Sequence, residues 1–201
     1  MQPLRIALLL EGLSVEAWIA ESIRLVCESP AADICVVLLS PRSAELAERN
    51  RLAEAYAALD SRLFAEGPDA LLTVSLIPLL QGVPQVELSG QTVNDEVKEQ
   101  LSSLQLDVCL NYCTQQPELI ARLPSAGVWT VHTESRHPTV GFRNVIEQSP
   151  VVESSLRDRF GEVTQSVTIA QTWSATDATS VTRTQNATLW KLTGFMRQYL
   201  D

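Results

Sequence analysis

The chain has 201 residues, of which 45% are hydrophobic and 19% charged, and its formal net charge is −9. This composition predicts one globular domain over residues 1–201 with enough apolar material for a core, and it excludes a largely disordered chain. Because nucleic acids and anionic membrane surfaces are bound through clustered Lys and Arg, the acidic balance argues against both as partners.

The N-terminal apolar stretch is short. Leu4–Leu10 gives way to the polar Glu11, which is too early for a signal peptide with a cleavage site or for a membrane span, so a cytoplasmic protein is expected. The four cysteines form no CxxC pair and have no paired histidine ligands. We therefore expect the cysteines to be buried, reduced thiols that do not form a metal site; they are Cys27, Cys35, Cys109 and Cys113.

The first half of the chain alternates strands with helices. Leu4–Leu10 is a continuous apolar run typical of a strand covered on both faces. Ser14 is predicted to cap a helix over residues Val15–Cys27, with Glu16 in its first turn. A second apolar run follows at Ile34–Leu39. It leads into Ala44–Leu63, which is rich in residues that favour a helix.

Shorter elements are predicted in the middle of the chain. Prolines and glycines divide residues 69–88, where Gln85–Leu88 is typical of an edge strand. Asn94 is predicted to cap a helix that ends at Leu101. Two core strands are predicted at Leu106–Tyr112 and Val128–Val131, with a brief helix between them, at Glu118–Leu123.

The last third of the chain has a different pattern. After a helical segment at Gly141–Gln148, the Thr- and Ser-rich strands Val151–Arg157 and Ser166–Thr172 are predicted to pair antiparallel. A helical pattern over Ser180–Leu200 is predicted to dock on the sheet. The order of the predicted strands and helices along the chain predicts an α/β, Rossmann-like fold, with a mostly parallel sheet and helices on both faces.

A histidine immediately follows the predicted strand Val128–Val131. Active sites of open parallel sheets lie outside the carboxyl ends of the strands, so His132 is a candidate for proton transfer. Asn111 ends the neighbouring strand and Glu134 follows in the next loop. Acyl or formyl transfer would use these groups, with Asn111 donating to an oxyanion. Polar residues gather at any such edge, so the grouping alone does not establish a catalytic site.

The common cofactor and nucleophile motifs are absent from the sequence. The segment after the first strand, Glu11-Gly-Leu-Ser14, has neither a G-x-G-x-x-G fingerprint nor a P-loop, and no G-x-S-x-G elbow occurs. Motifs therefore support neither a dinucleotide enzyme, nor a nucleoside-triphosphate enzyme, nor a serine hydrolase.

Collinear segments along nearly the whole chain resemble proteins of the formyltransferase fold. They are Leu4-Arg-Ile-Ala-Leu-Leu-Leu-Glu11, Tyr56-Ala-Ala-Leu-Asp-Ser-Arg-Leu-Phe64, Leu76-Ile-Pro-Leu-Leu-Gln-Gly-Val-Pro84, Leu106-Asp-Val-Cys-Leu-Asn-Tyr112 and Gly127-Val-Trp-Thr-Val-His132. The resemblance implies a formyl group taken from 10-formyltetrahydrofolate, and catalysis by an Asn-x-His pair and a later aspartate. It places the family's histidine on His132, its asparagine on Thr130 and its aspartate near Thr164. Cofactor-binding positions are expected at the end of the strand Leu106–Tyr112 and just after it, at Tyr112, Cys113 and Thr114.

Two of the three catalytic positions therefore differ from the family's pattern. Thr130 is a poorer oxyanion donor than an amide, and Thr164 cannot accept a proton at neutral pH as a carboxylate does. Since losing one oxyanion donor costs about 10²–10³ in rate, conventional formyl transfer would be weak unless Glu134 or Glu162 replaces the carboxylate.

Three functional hypotheses remain open from the sequence. The first is a divergent folate-dependent formyl transferase that acts on a small amine. The second is a catalytically inactive binding or scaffold protein with a protein partner, and the third is a group transferase with a non-folate donor. A homodimer is possible through Ser166–Thr172 and the last helix.

Overall fold

The computed structural model describes residues 2–41, 51–64, 67–88, 95–113, 120, 122–133, 140–159 and 166–200. The strands in this part of the chain are β1 (Leu4–Leu10), β2 (Ser14–Glu16), β3 (Ala32–Leu39), β4 (Thr73–Ser75), β5 (Gln85–Glu87), β6 (Val108–Asn111), β7 (Val128–Thr133), β8 (Val151–Arg159) and β9 (Val167–Ala175). The helices are α1 (Ala17–Cys27), α2 (Arg51–Phe64), α3 (Asp95–Ser103), α4 (Phe142–Ile146), α5 (Val181–Leu192) and α6 (Phe195–Leu200).

Seven of these strands form one sheet, in the order β5-β3-β1-β6-β7-β8-β9. The strands from β5 to β7 are parallel, whereas β8 and β9 are antiparallel to their neighbours. This arrangement confirms the predicted mostly parallel sheet with antiparallel strands near the C-terminus. The chain builds outward from β1 through β3 to β5, and then returns to the other side of β1 as β6. The topological switch point, where α/β proteins bind ligands, therefore lies between β1 and β6.

The central strand β1 is buried on both faces. Alternate residues Ile6, Leu8 and Leu10 belong to one core cluster, together with residues of α1, α5 and α6. Ala7 and Leu9 belong to a second cluster on the opposite face, which includes Leu101 of α3. Helices therefore cover both faces, as the continuous apolar run of β1 predicted.

The predicted start of the first helix is wrong. Residues 14–16 form β2, which pairs antiparallel with β4, and α1 begins only at Ala17. Glu16 occupies the N-cap position without a side-chain cap hydrogen bond, and its Oε2 instead accepts a hydrogen bond from Trp18 Nε1 at 2.7 Å. Ser14 does not cap the helix because its backbone pairs with Ser75, a partner far along the chain that local pattern does not show.

The C-terminal helical segment consists of two helices rather than one. α5 ends at Leu192 and α6 begins at Phe195, with Gly194 in the turn between them. Thr193 Oγ1 donates to the Trp190 carbonyl at 2.8 Å, which satisfies an acceptor where the helix ends. The predicted docking is confirmed, since both helices contribute residues to the core cluster that contains β1.

The cysteine prediction is confirmed in part. All four thiols are free, and Cys109 and Cys113 are buried. Cys27, in contrast, is exposed at the end of α1, and Cys35 has intermediate exposure. In the part of the chain that the structure describes, no helix is long and apolar enough to span a membrane. Asn94, residues 44–50 of the second predicted helix and half of Glu118–Leu123 lie outside the described residues.

Candidate functional site

Asn111 and Thr130 are in contact across two neighbouring parallel strands. Asn111 ends β6 opposite Thr130 of β7, and its Nδ2 donates a hydrogen bond to Thr130 Oγ1 at 3.2 Å. Its Oδ1 accepts a hydrogen bond from the Cys113 amide at 2.9 Å. Because Asn111 is only 5% exposed, these two contacts fix the orientation of its amide. The structure thus brings together two of the predicted site residues.

His132 lies within β7, and the prediction that it follows the strand is wrong. The antiparallel strand β8 pairs with β7 from Val128 to Thr133 and extends it past Val131, with His132 opposite Ser155. Side chains two residues apart in a strand share a face, so the exposed His132 lies on the same face as Thr130. Asn111, Thr130 and His132 therefore form one polar group at the carboxyl ends of β6 and β7.

Strand β8 adds polar residues that the sequence analysis did not identify. Ser155 lies opposite His132, and Arg157 lies opposite Thr130. Arg157 Nε donates to Ser155 Oγ at 3.1 Å, so a guanidinium group joins the face that carries Thr130 and His132. The Thr- and Ser-rich composition predicted a strand here, but only the register with β7 places the residues of β8 beside the histidine.

A carboxylate also lies on this face of β8. Glu153 precedes Ser155 by two residues, so it is a diagonal neighbour of His132, at about 7–8 Å between Cα atoms. Its Oε1 accepts a hydrogen bond from Gln171 Nε2 at 3.2 Å. Glu153 is therefore a candidate for the carboxylate that the family's pattern places elsewhere. Glu134, Thr114, Glu162 and Thr164 lie outside the described residues, and their roles remain predictions.

Tyr112 packs on the opposite face of the sheet. Its hydroxyl shares a hydrogen bond of 2.9 Å with Ser22 Oγ of α1, and its ring meets Trp18 edge-on at 6.3 Å between centroids. Burial raises the pKa of the Tyr112 phenol above its usual range, although the bond to Ser22 opposes this shift. The side chain anchors α1 to β6 and points away from His132.

Cys113 follows β6 beside the switch point. Its thiol is buried, and burial, aided by the nearby negative charge of Glu11, raises the pKa of Cys113 to about 12. The thiol is therefore protonated at neutral pH, so Cys113 lacks the thiolate that a nucleophile requires. Its amide, however, orients Asn111, so its backbone contributes to the site.

No three His, Cys, Asp or Glu side chains are grouped to hold a metal ion among the described residues. The polar face instead presents hydrogen-bond donors of several kinds, namely an amide, a hydroxyl, an imidazole and a guanidinium. Such a set suits a carbonyl oxygen on which negative charge develops.

The fold is shared with known structures. Phosphoribosylglycinamide formyltransferase from Brucella melitensis superposes with a TM-score of 0.58 at 14% identity, covering 99% of this chain and 94% of that chain. The enzyme of the same name from Anaplasma phagocytophilum gives 0.58 at 11% identity, with 99% and 85% coverage. Formyltetrahydrofolate deformylase from Pseudomonas putida KT2440 gives 0.52 at 11% identity and covers 99% of this chain.

These similarities define the class of structure. The chain has the formyltransferase fold, as the resemblance in its sequence predicted. It is a divergent example, with identities of 10–14% to such structures, and it spans 66% of the deformylase. No family model and no curated protein matches the sequence.

Proposed function

We propose that the protein is a divergent folate-dependent formyl transferase that acts on a small amine. The observation that carries this proposal is the contact between Asn111 and Thr130, with His132 two residues farther along the same face of β7. This group lies at the carboxyl ends of parallel strands, next to the switch point. The structural similarity to enzymes named for formyl transfer supports the same chemistry.

The residues on this face fit a formyl group. The donor, 10-formyltetrahydrofolate, would supply the formyl group. The donor nitrogen that carried this group would accept a proton as the group is transferred. The amine nitrogen forms a bond to the formyl carbon as the bond to the donor nitrogen breaks. His132 and Arg157 would stabilise negative charge on the formyl oxygen, and Asn111 orients the Thr130 hydroxyl through the hydrogen bond from its Nδ2. Glu153 or the His132 imidazole would take the proton that the amine loses.

A second candidate function is a binding protein without catalysis. It is favoured by the Asn111 side chain, because both its oxygen and its nitrogen already hydrogen-bond within the protein and it is nearly inaccessible. A ligand would then meet mainly His132 and Arg157. The two candidates share a ligand site, so a binding measurement and an activity measurement together distinguish them.

The test is a calorimetric titration of the protein with 5-formyltetrahydrofolate, a stable folate analogue. We expect saturable binding that weakens in His132→Ala and in Arg157→Ala. Ser102→Ala, an exposed position in the last turn of α3, which leads into the amino end of β6, is the matched control and should bind as the wild type does. Formyl transfer from 10-formyltetrahydrofolate to a panel of small amines is then followed by mass spectrometry of the products.

Each outcome has a definite meaning. Binding with transfer supports the enzyme, and loss of transfer in His132→Ala would place the histidine in the reaction. Binding without transfer favours the inactive binding protein. No binding at millimolar ligand, with a correctly folded protein, would overturn both folate-based candidates.

A further inference from the structure

The connection between β1 and α1 differs from the one that forms an anion-binding site in many α/β proteins. At a switch point, the first helix usually begins close to the end of the first strand, and its free N-terminal amides and positive dipole bind phosphate. Here β1 ends at Leu10, and the strand β2 intervenes before α1 begins at Ala17. The start of the helix is thus moved away from the end of β1 and tied to β4.

The first turn of α1 is occupied by groups of the protein itself. The Trp18 amide donates a hydrogen bond to the Ala70 carbonyl at 3.2 Å. At the N-cap, Glu16 places a carboxylate against the positive end of the helix, and its Oε2 accepts from Trp18 Nε1. A phosphate there would have to displace the Ala70 carbonyl and approach the Glu16 carboxylate.

A further carboxylate lies at the switch point. Glu11 immediately follows β1, and since Leu9 pairs with Asn111, Glu11 lies level with Cys113 just beyond β6. The negative charge of Glu11 helps to raise the pKa of the Cys113 thiol, so the Glu11 carboxylate lies near that end of β6. Two strand spacings separate this position from His132, a span of about 10 Å that a small acceptor can bridge.

We propose that the acceptor amine carries no phosphate group, and that Glu11 is a specificity-determining residue. This inference rests on the proposed function, because it concerns the end of the acceptor that does not react. An acceptor with its amine beside His132 would extend its far end toward Glu11, where an anion is repelled and a neutral or cationic group is not.

The first test uses inorganic phosphate as the probe. The amide resonances of Gly12 and Trp18 are followed by NMR while phosphate is added at constant ionic strength. We expect no saturable shift at millimolar phosphate. A saturable shift of these two amides would overturn the inference whether or not the protein binds folate, so this test is separate from that of the proposed function.

The second test compares amines that differ only in a phosphate. Ethanolamine with O-phosphoethanolamine and glucosamine with glucosamine 6-phosphate are titrated by calorimetry in the presence of 5-formyltetrahydrofolate. The unphosphorylated member should bind more tightly, and Glu11→Gln should reduce that preference by about two- to tenfold because one like charge is removed. A preference for the phosphorylated member would contradict the inference.

Glu28→Gln is the matched control. Glu28 follows the other end of α1, an 11-residue helix about 16 Å long, and it pairs with Arg24. Its substitution removes the same charge from the chain but should leave the preference unchanged. An equal change in both variants would indicate a general effect of net charge and would remove Glu11 from the site. If no amine binds, the phosphate titration alone decides.

Discussion

The amide of Asn111 and the hydroxyl of Thr130 are hydrogen-bonded across β6 and β7, at 3.2 Å. The family's pattern places its asparagine at position 130 of this chain, where threonine stands. The structure brings the asparagine Asn111 beside Thr130 from the neighbouring strand. An amide is therefore present at the site, although it comes from a different residue and is turned toward Thr130.

Thr130→Val tests the importance of this contact. Valine keeps the shape of threonine but leaves the buried Asn111 Nδ2 without its hydroxyl acceptor, so the free energy of unfolding should fall by about 1–3 kcal/mol. Urea unfolding followed by circular dichroism measures the change. The equivalent substitution at the exposed Thr168, Thr168→Val, should change stability by less than about 0.5 kcal/mol. Equal effects at both positions would mean that the contact contributes nothing.

The reactivity of the cysteines should follow their burial. Iodoacetamide at mildly alkaline pH should label the exposed Cys27 first, and should label Cys109 and Cys113 only after unfolding in urea. Burial both blocks access to these two thiols and raises their pKa values above the usual range. Peptide mass spectrometry locates the label. Labelling of Cys113 as fast as Cys27 in the native protein would show an accessible thiolate at the switch point.

Both the backbone conformation and the lack of space for a side chain require glycine at position 127. Its φ is +102°, and a Cβ at this position would lie 2.1 Å from Asp158 Oδ1. Gly82 also has a positive φ, +87°, but open space around it. Gly82→Ala should therefore cost about 1 kcal/mol from backbone strain, whereas Gly127→Ala should cost more than about 2 kcal/mol.

A double variant separates the two effects at Gly127. In an Asp158→Ala background, the additional cost of Gly127→Ala should fall to that of Gly82→Ala, because the clashing carboxylate is gone. Thermal unfolding measures all of these variants. An unchanged cost in the Asp158→Ala background would assign the whole effect to the backbone.

Asp177 should make stability depend on pH at the acidic end. Hydrogen bonds from the Thr179 hydroxyl, then from the Thr179 amide, lower the pKa of this carboxyl below its ordinary value. The folded state then binds fewer protons than the unfolded state between the two pKa values, so stability rises with pH across that window and is lost as pH falls through the folded-state pKa. Asp177→Asn should remove this contribution.

The pH prediction is checked by urea unfolding from pH 2 to about pH 6, the range in which carboxyl groups titrate. The wild type and Asp177→Asn should converge at the acidic end and differ by a constant amount above the ordinary aspartate pKa. A difference that is constant across the whole range would contradict the lowered pKa.

The sequence predicted the sheet strands well because their signals are local. The apolar run Leu4–Leu10 coincides with β1, and the Thr- and Ser-rich segments pair antiparallel as expected. β2 was missed because Ser14 has the local features of a helix cap, and only pairing with β4 makes it a strand. The local sequence pattern determines the type of a long, uniformly buried element such as β1. In a short segment such as β2, pairing with a distant strand overrides the local preference.

The candidate site was predictable only residue by residue. His132 and Asn111 were identified from their positions at strand ends, and Thr130 from the resemblance to the formyltransferase fold. The structure places Asn111 in contact with Thr130, on the face that also carries His132. Arg157 and Glu153 were not identified, because their place beside His132 depends on the register of β8 against β7. A shift of that register by one residue would turn both side chains to the other face, and no feature of β8 alone determines it.

The central position of β1 has a consequence for synthesis of the chain. β1 leaves the ribosome well before its pairing partner β6 and the helices α5 and α6 that cover one of its faces, because these elements come roughly one hundred or more residues later in the chain. Ile6, Leu8 and Leu10 of β1 therefore lack the cover of these two helices until α5 and α6 have been made. A nascent chain halted before α5 should bind chaperones through the segment that becomes the centre of the finished protein.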